Sequence, residues 1–212
     1  MGYDIPQSVS QGIDGAQDKE NRRISEIADE LCRLCRVYEA ESGTGQADVN
    51  ALEVEQRVAE QMAKSEGYWV PMAQIFDLGL PGPCGNENDT YVADDVVYKV
   101  NNLMNSGSIV ALLRRILIHN LLFPETAYSF YGFTGFEGRS IQPILCQKRI
   151  ERSVPATQVM IDTYMAALGF TKTGADGRFS NGTYEVWDVI PRNVLADKDS
   201  DLFVIDAEIR KI

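Results

Sequence analysis

Three polar side chains near the C-terminus, Asp188, Asn193 and Asp206, have types and spacing that fit chemistry; all lie in WDVIPRNVLADKDSDLFVIDAEI. NVLA and LFVID are short apolar runs on either side of DKDSD, a pattern that predicts a hairpin. A turn centred on Asp199–Ser200 sets Val194 against Ile205, Ala196 against Phe203 and Asn193 against Asp206. Directly opposed residues of an antiparallel pair lie about 4.5–5.5 Å apart at Cα. An amide oxygen and a carboxylate therefore meet at the open end of the hairpin. A hard divalent cation such as magnesium suits that pairing, because it takes one or two protein oxygens, several waters and substrate phosphates. Asp188 lies five residues before Asn193, in a loop containing Pro191, and reaches the same place. Taken singly, Asp188 reads as a turn cap and Asn193 as a turn initiator. Taken as a set, they point to catalysis or metal binding.

The elements that hold these residues begin after a polar stretch, 1–21, rich in Gly, Ser, Gln and Asp, which predicts a flexible tail. Ile24, Ile27, Ala28, Leu31, Cys32 and Cys35 then recur at helical spacing until ESGTGQ breaks the pattern. A second helix starts at an Asp48 cap, carries Leu52, Val58, Ala59 and Met62, and closes at Gly67. These helices form an extension over 22–66 that packs on the following domain or on a partner. Cys32 and Cys35 form a C-x-x-C without a second pair or a nearby histidine, and predict core-facing residues of a helix instead of zinc or redox chemistry.

Beyond Tyr68 the texture turns to short strands. PGPCGNEN is a loop, and DTYVA and VVYKV, which contains Lys99, flank Asp94–Asp95 as a hairpin. Ser108 caps a helix to Leu122, ended by Pro124, whose apolar circumference predicts burial on two sides. His119, the sole histidine, reads as a packed residue of that helix. AYSFYGF and SIQPILCQ give two more strands, with Pro143 marking an edge or a kink. A helix follows with Ser153 as cap, Ile161, Tyr164, Met165 and Leu168 on one face, and Gly169 as its stop. From Thr171 onward short strands return, with a hairpin about Asn181–Gly182. This order predicts an α+β fold and not a βαβ series.

Asp188, Asn193 five residues on and Asp206 thirteen further on resemble the catalytic loop and metal-binding Asp of protein kinases and their aminoglycoside-phosphotransferase-like relatives. The resemblance implies that Asp188 orients or deprotonates the attacking hydroxyl, and that Asn193 and Asp206 hold Mg2+ against the phosphates of ATP. Lys99 matches the third-strand lysine that grips the α- and β-phosphates. PGPCGNEN, with Gly82 and Gly85, stands where the phosphate-covering loop belongs. Pro143–Gln147 would link the lobes, which puts Cys146 and Gln147 beside adenine. GNENDTYV, VVYKVNN, LLFPETAYSFYGF and DVIPRNVL are most similar to the kinase-like domains of bacterial polyvalent proteins, encoded by mobile elements, over roughly 67–212. The implied fold is a small antiparallel sheet lobe with one inserted helix over 67–148. A truncated C-terminal lobe of a helix and short hairpins follows over 149–212, and the two helices precede both.

The sequence also departs from that pattern. The helix 108–122 contains no acid, so the usual partner of the lysine is absent, and Glu87 or Glu125 is the substitute. Val186 and Trp187 stand in place of His and Arg before Asp188, and Ala207 and Glu208 follow Asp206. The loop at Gly82 and Gly85 lacks a G-x-G-x-x-G and carries two prolines. Only six residues follow Asp206, which is expected of a minimal phosphotransferase, a piece of a longer protein, or a nucleotide-binding relic.

Composition narrows the classes of function. The 212 residues are 44% apolar and 24% charged, as in an ordinary globular chain and unlike a disordered one. A net charge of −11 argues against nucleic acid as the main partner. No apolar run is long enough to span a membrane, and the N-terminus lacks a signal core, so a cytoplasmic protein without membrane contact is expected. The leading expectation is an ATP- and Mg2+-dependent phosphotransferase of unknown acceptor. Its rival is a pseudokinase-type nucleotide-binding or protein-interaction module. Under either expectation, the N-terminal helices offer a surface for a protein partner or for self-association.

Overall fold

The structure, a computed structural model, describes residues 15–41, 50–136 and 139–212. Helix α1 spans Gly15–Glu41, so Gly15–Asn21, expected in a tail, are helical. Contacts with a distant strand hold this end of the helix: Glu20 accepts from the Phe130 amide at 2.8 Å, and Arg23 donates to the Phe130 carbonyl at 3.1 Å. Helix α2 spans Ala51–Ser65, and its cap is Asn50, whose side chain accepts from Leu52 N at 3.1 Å. The expected Asp48 cap and the break beyond Glu41 lie outside the described residues. Gly67, with φ of +75°, closes the helix as expected.

Contacts divide the chain into two units, one running to Leu117 and including Tyr128–Gln147, the other comprising Ile118–Ala127 and Lys148–Ile212. In the first unit a 3-10 turn at Met72–Leu78 occupies part of the region expected to be strands. Strands β1 (Leu80–Pro81), β2 (Asn88–Val92) and β3 (Val96–Asn101) follow, with β2 and β3 paired about Asp94–Asp95 as the sequence predicts. Helix α3 (Ile109–Leu122) starts on Ser108, whose hydroxyl accepts from Ala111 N at 3.1 Å. Strands β4 (Tyr128–Phe136) and β5 (Arg139–Lys148) complete a sheet of order β1-β2-β3-β5-β4. Pro143 is therefore on an interior strand and not an edge; it pairs with Phe133 beside a bulge at Phe130/Gly132, which accommodates it.

One face of this sheet carries Phe130, Phe133, Ile141 and Leu145 into a core shared with α1, α2 and α3. Val100 and Ile144 face the other way, against Ile75 and Leu78 of the 3-10 turn. The outer strand β4 is answered on both halves. Besides Glu20 and Arg23, Val70 N donates to Phe133 O and Phe133 N to Tyr68 O, each at 2.8 Å. Gly132 permits that approach, since a Cβ there would strike the Tyr68 carbonyl.

In the second unit, β6 (Val154–Pro155) pairs with a later strand, so the helix expected from Ser153 begins further on. Helix α4 is Gln158–Ala167, capped by Thr157, and Gly169 at φ +83° ends it. Strands β7 (Thr171–Gly174), β8 (Arg178–Ser180) and β9 (Tyr184–Trp187) precede β10 (Val194–Ala196), β11 (Leu202–Val204) and β12 (Glu208–Lys211). They form two sheets of order β11-β10-β6 and β12-β9-β8-β7. Ile161, Met165, Phe179, Val186, Val189, Val194 and Val204 make their common core. Helices with antiparallel sheets throughout make the chain α+β.

Candidate functional site

Asp188 leaves β9 in the left-handed conformation, φ +59°, which aspartate tolerates better than most residues. The bend turns its carboxylate toward the end of its own loop. Arg192 Nη2 lies 2.9 and 3.2 Å from the two oxygens, and Asn193 Nδ2 donates to Oδ2 at 2.8 Å. The same Nδ2 donates to the Asp188 carbonyl at 2.8 Å. Buried Val189, with its amide on Gly177 O at 3.2 Å, anchors the start of the loop, and a 3-10 turn at Pro191–Asn193 closes it.

The hairpin register differs by one residue from the expected one. Val194 faces Val204 and Ala196 faces Leu202, which leaves a five-residue turn, Asp197–Asp201. Asp197 makes that turn by accepting the amides of Asp199 (2.9 Å) and Asp201 (3.0 Å), with Ser200 at φ +67°. Asn193 consequently stands opposite Ile205, whose amide donates to its carbonyl at 2.9 Å, and Asp206 is the next residue. Trp187, the neighbour of Asp188, faces Glu208, two residues past Asp206. Asp188, Asn193 and Asp206 therefore gather where the two small sheets adjoin, although Asn193 and Asp206 do not face each other directly.

The donor set at this corner suits magnesium. Because Nδ2 of Asn193 is engaged, its Oδ1 is left as an acceptor. Among the described residues none donates to that oxygen or to the Asp206 carboxylate. Hard oxygens in this number fit an ion that keeps several of its waters. Among the described residues there is no cluster of three or more His, Cys, Asp or Glu side chains able to hold a metal.

In the first unit, Lys99 is buried on β3, donates to Tyr128 Oη at 3.0 Å and lies 4.9 Å from the centre of that ring. Tyr128 is paired directly with Gln147, also buried, so Lys99, Tyr128 and Gln147 share a face of the sheet. Cys146 alternates onto the opposite face, and burial, with Glu20 beside it, pushes its thiol up to about 11 against the pull of Arg23. Gly82 N donates to Thr90 O at 2.9 Å and Gly85 N to Asn88 O at 3.0 Å. The loop containing them is thus the tip of a β1–β2 hairpin. Glu87 is buried with its carboxylate on Arg115 (2.9 Å), Asn105 and Ser106, while Glu125 lies exposed in the second unit.

A lysine on the third strand of an antiparallel sheet, a hairpin loop before it and an Asp–Asn-locked loop further on are the parts of a kinase-like domain. The sequence profile of the serine/threonine/tyrosine kinases found in polyvalent proteins matches residues 53–211. The chain belongs to that family. The matched stretch begins within α2, before residue 67, where the resemblance in sequence starts. Among curated proteins none matches the chain. As in the sequence, no described helix is long and apolar enough to cross a membrane.

Within this kinase family member, sequence reasoning did not find Tyr128, Arg192, Arg115 or Glu55. Glu55 of α2 is buried and accepts the amides of Ile109 (2.8 Å) and Val110 (3.1 Å), so it caps α3 from another helix. None has a local signature; each is defined by its partner. Cys32 and Cys35 are free thiols on α1, with Cys35 packed against the core, and His119 is buried with Nε2 3.2 Å from Thr126 O. The packed readings of Cys35 and His119 agree with their places, whereas Cys32 lies outside the core cluster, with Arg114 Nη2 3.6 Å from its sulfur.

Proposed function

We propose that the chain is an ATP- and magnesium-dependent phosphotransferase acting on a hydroxyl-bearing acceptor. The observation that carries the reading is the Asn193 amide, which fixes Asp188 through both its backbone and its carboxylate and keeps Oδ1 as an acceptor. In phosphoryl transfer the protein positions charge more than it makes bonds, so a preorganised pair of this kind is what the reaction needs. Magnesium, when bound, neutralises the charge on the β- and γ-phosphates.

Asn193 Oδ1 and the Asp206 carboxylate would hold that ion. Asp188 accepts a hydrogen bond from the acceptor hydroxyl and takes its proton. Lys99, steadied by Tyr128, pairs with the α- and β-phosphates. The Gly82–Asn88 loop covers the phosphates, and the backbone at Gln147 holds adenine. A reaction fed by ATP, in a chain whose four cysteines are all free, belongs in the cytoplasm.

Thermal unfolding with and without Mg–ATP tests the reading. At a hundredfold excess over Kd the parent gains about 2.7 kcal/mol, and Asp206→Ala loses the magnesium-dependent part of that gain. A parent with no shift under any nucleotide removes the proposal. It then leaves the second reading, a protein-interaction module. The acid-free α3 favours that reading.

A further inference from the structure

Helix α3 carries no acid, and of its two arginines Arg115 is the sheltered one. Arg115 Nη2 reaches Glu87 Oε1 at 2.9 Å, with the two side chains only 11% and 7% exposed. Glu87 sits at the tip of the β1–β2 hairpin, and Asn105 Nδ2 (3.2 Å) and Ser106 Oγ (3.4 Å) also donate to it. The segment between β3 and α3 fastens the same tip. Asn102 donates from its backbone to Glu87 O at 2.9 Å and from Nδ2 to Asn86 O at 2.7 Å, and Asn101 Nδ2 reaches Asn88 Oδ1 at 2.9 Å. Glu55 in turn fixes the N-terminus of α3.

Two buried charges cost desolvation that their attraction offsets only with good geometry and further hydrogen bonds. Here both conditions are met, at the base of a loop and not in the middle of a core. The amides of Gly82 and Gly85 are engaged inside the hairpin, whereas those of Cys84, Asn86 and Glu87 meet no acceptor among the described residues. Backbone amides without an internal acceptor are available to an anion.

We propose that Glu87 and Arg115 are a positioning pair that locks the Gly82–Asn88 loop onto α3, so that the amides of Cys84, Asn86 and Glu87 stand ready for nucleotide phosphate. The pair takes over, with its charges exchanged, the task of anchoring α3 that a helix acid would perform. This rests on the nucleotide-binding reading above and adds to it the device that holds the phosphate loop.

Calorimetry with Mg–ATP and with adenosine, together with hydrogen exchange of the nucleotide-free protein, separates the possibilities. Arg115→Ala strands a buried carboxylate and risks misfolding, so the neutral double variant Glu87→Gln/Arg115→Met is measured beside Arg115→Lys. In the double variant Mg–ATP affinity falls about tenfold, the loss of about 1.4 kcal/mol expected for one positioned contact, while adenosine affinity holds. Loop amides 82–88 then exchange faster, and Arg115→Lys recovers most of both effects. Equal losses for adenosine and Mg–ATP, or unchanged exchange in the loop, overturn the pair's role and leave the phosphotransferase reading standing. A parent that binds neither ligand overturns both.

Discussion

The side-chain amide of Asn193 donates at 2.8 Å to both the carbonyl and a carboxylate oxygen of Asp188, so one residue fixes the backbone and the carboxylate of the other. The left-handed backbone at Asp188, φ +59°, decides which substitution is informative. Alanine there adds about 1–2 kcal/mol of strain, whereas asparagine tolerates the conformation. Asp188→Asn is therefore expected to keep Mg–ATP affinity within about twofold while slowing phosphate transfer by about 10²–10⁴, the range for losing a general base. Phosphate release and calorimetry on the same preparation check this. Turnover at the parental rate would remove Asp188 from its role. Arg192, paired with Asp188 but largely exposed, contributes little to stability, and Arg192→Ala leaves the melting temperature nearly unchanged.

Glu55→Ala leaves the amides of Ile109 and Val110 without their acceptor at a buried helix start. Stranding such groups costs about 1–3 kcal/mol each. Urea denaturation is expected to show a lower midpoint with an unchanged slope. Glu55→Gln, which keeps one acceptor oxygen, loses less. Equal stability of parent and alanine variant would mean that solvent replaces the carboxylate.

Burial raises the Cys146 thiol from its ordinary 9.0 to about 11, with Glu20 adding to the rise and Arg23 opposing it. Folding therefore favours the neutral thiol. That contribution to stability is fully present below about pH 9 and is lost as pH rises through about 11. At about pH 8 the thiolate is about 100-fold scarcer at Cys146 than for an ordinary thiol. Iodoacetamide followed by peptide mass analysis is expected to mark exposed Cys84 long before Cys146. Comparable labelling of the two in folded protein would contradict the burial.

Features written in a few adjacent residues were legible. The β2–β3 turn at Asp94–Asp95, Ser108 before α3, and Gly169 after α4 each carry their own signal. The Asp188–Asn193 spacing was legible for the same reason, since the two bond within one loop. The hairpin register was not, because Asp197 folds back on the amides of Asp199 and Asp201 and makes the turn five residues wide. Thr157 displaces Ser153 as the cap of α4 because Val154 and Pro155 are recruited by β10. Glu55 on α3, Arg115 on Glu87 and Tyr128 on Lys99 join residues far apart in sequence, so no local pattern marks them.

The carboxylate of Glu20 and the guanidinium of Arg23 answer the open rim of β4. A strand rim left bare is a template on which a neighbouring molecule adds its own strand. Cutting the chain after α2 would thus not isolate a cleaner kinase-like domain. It would bare the half of β4 that Glu20 and Arg23 cover and offer it to a neighbour's strand.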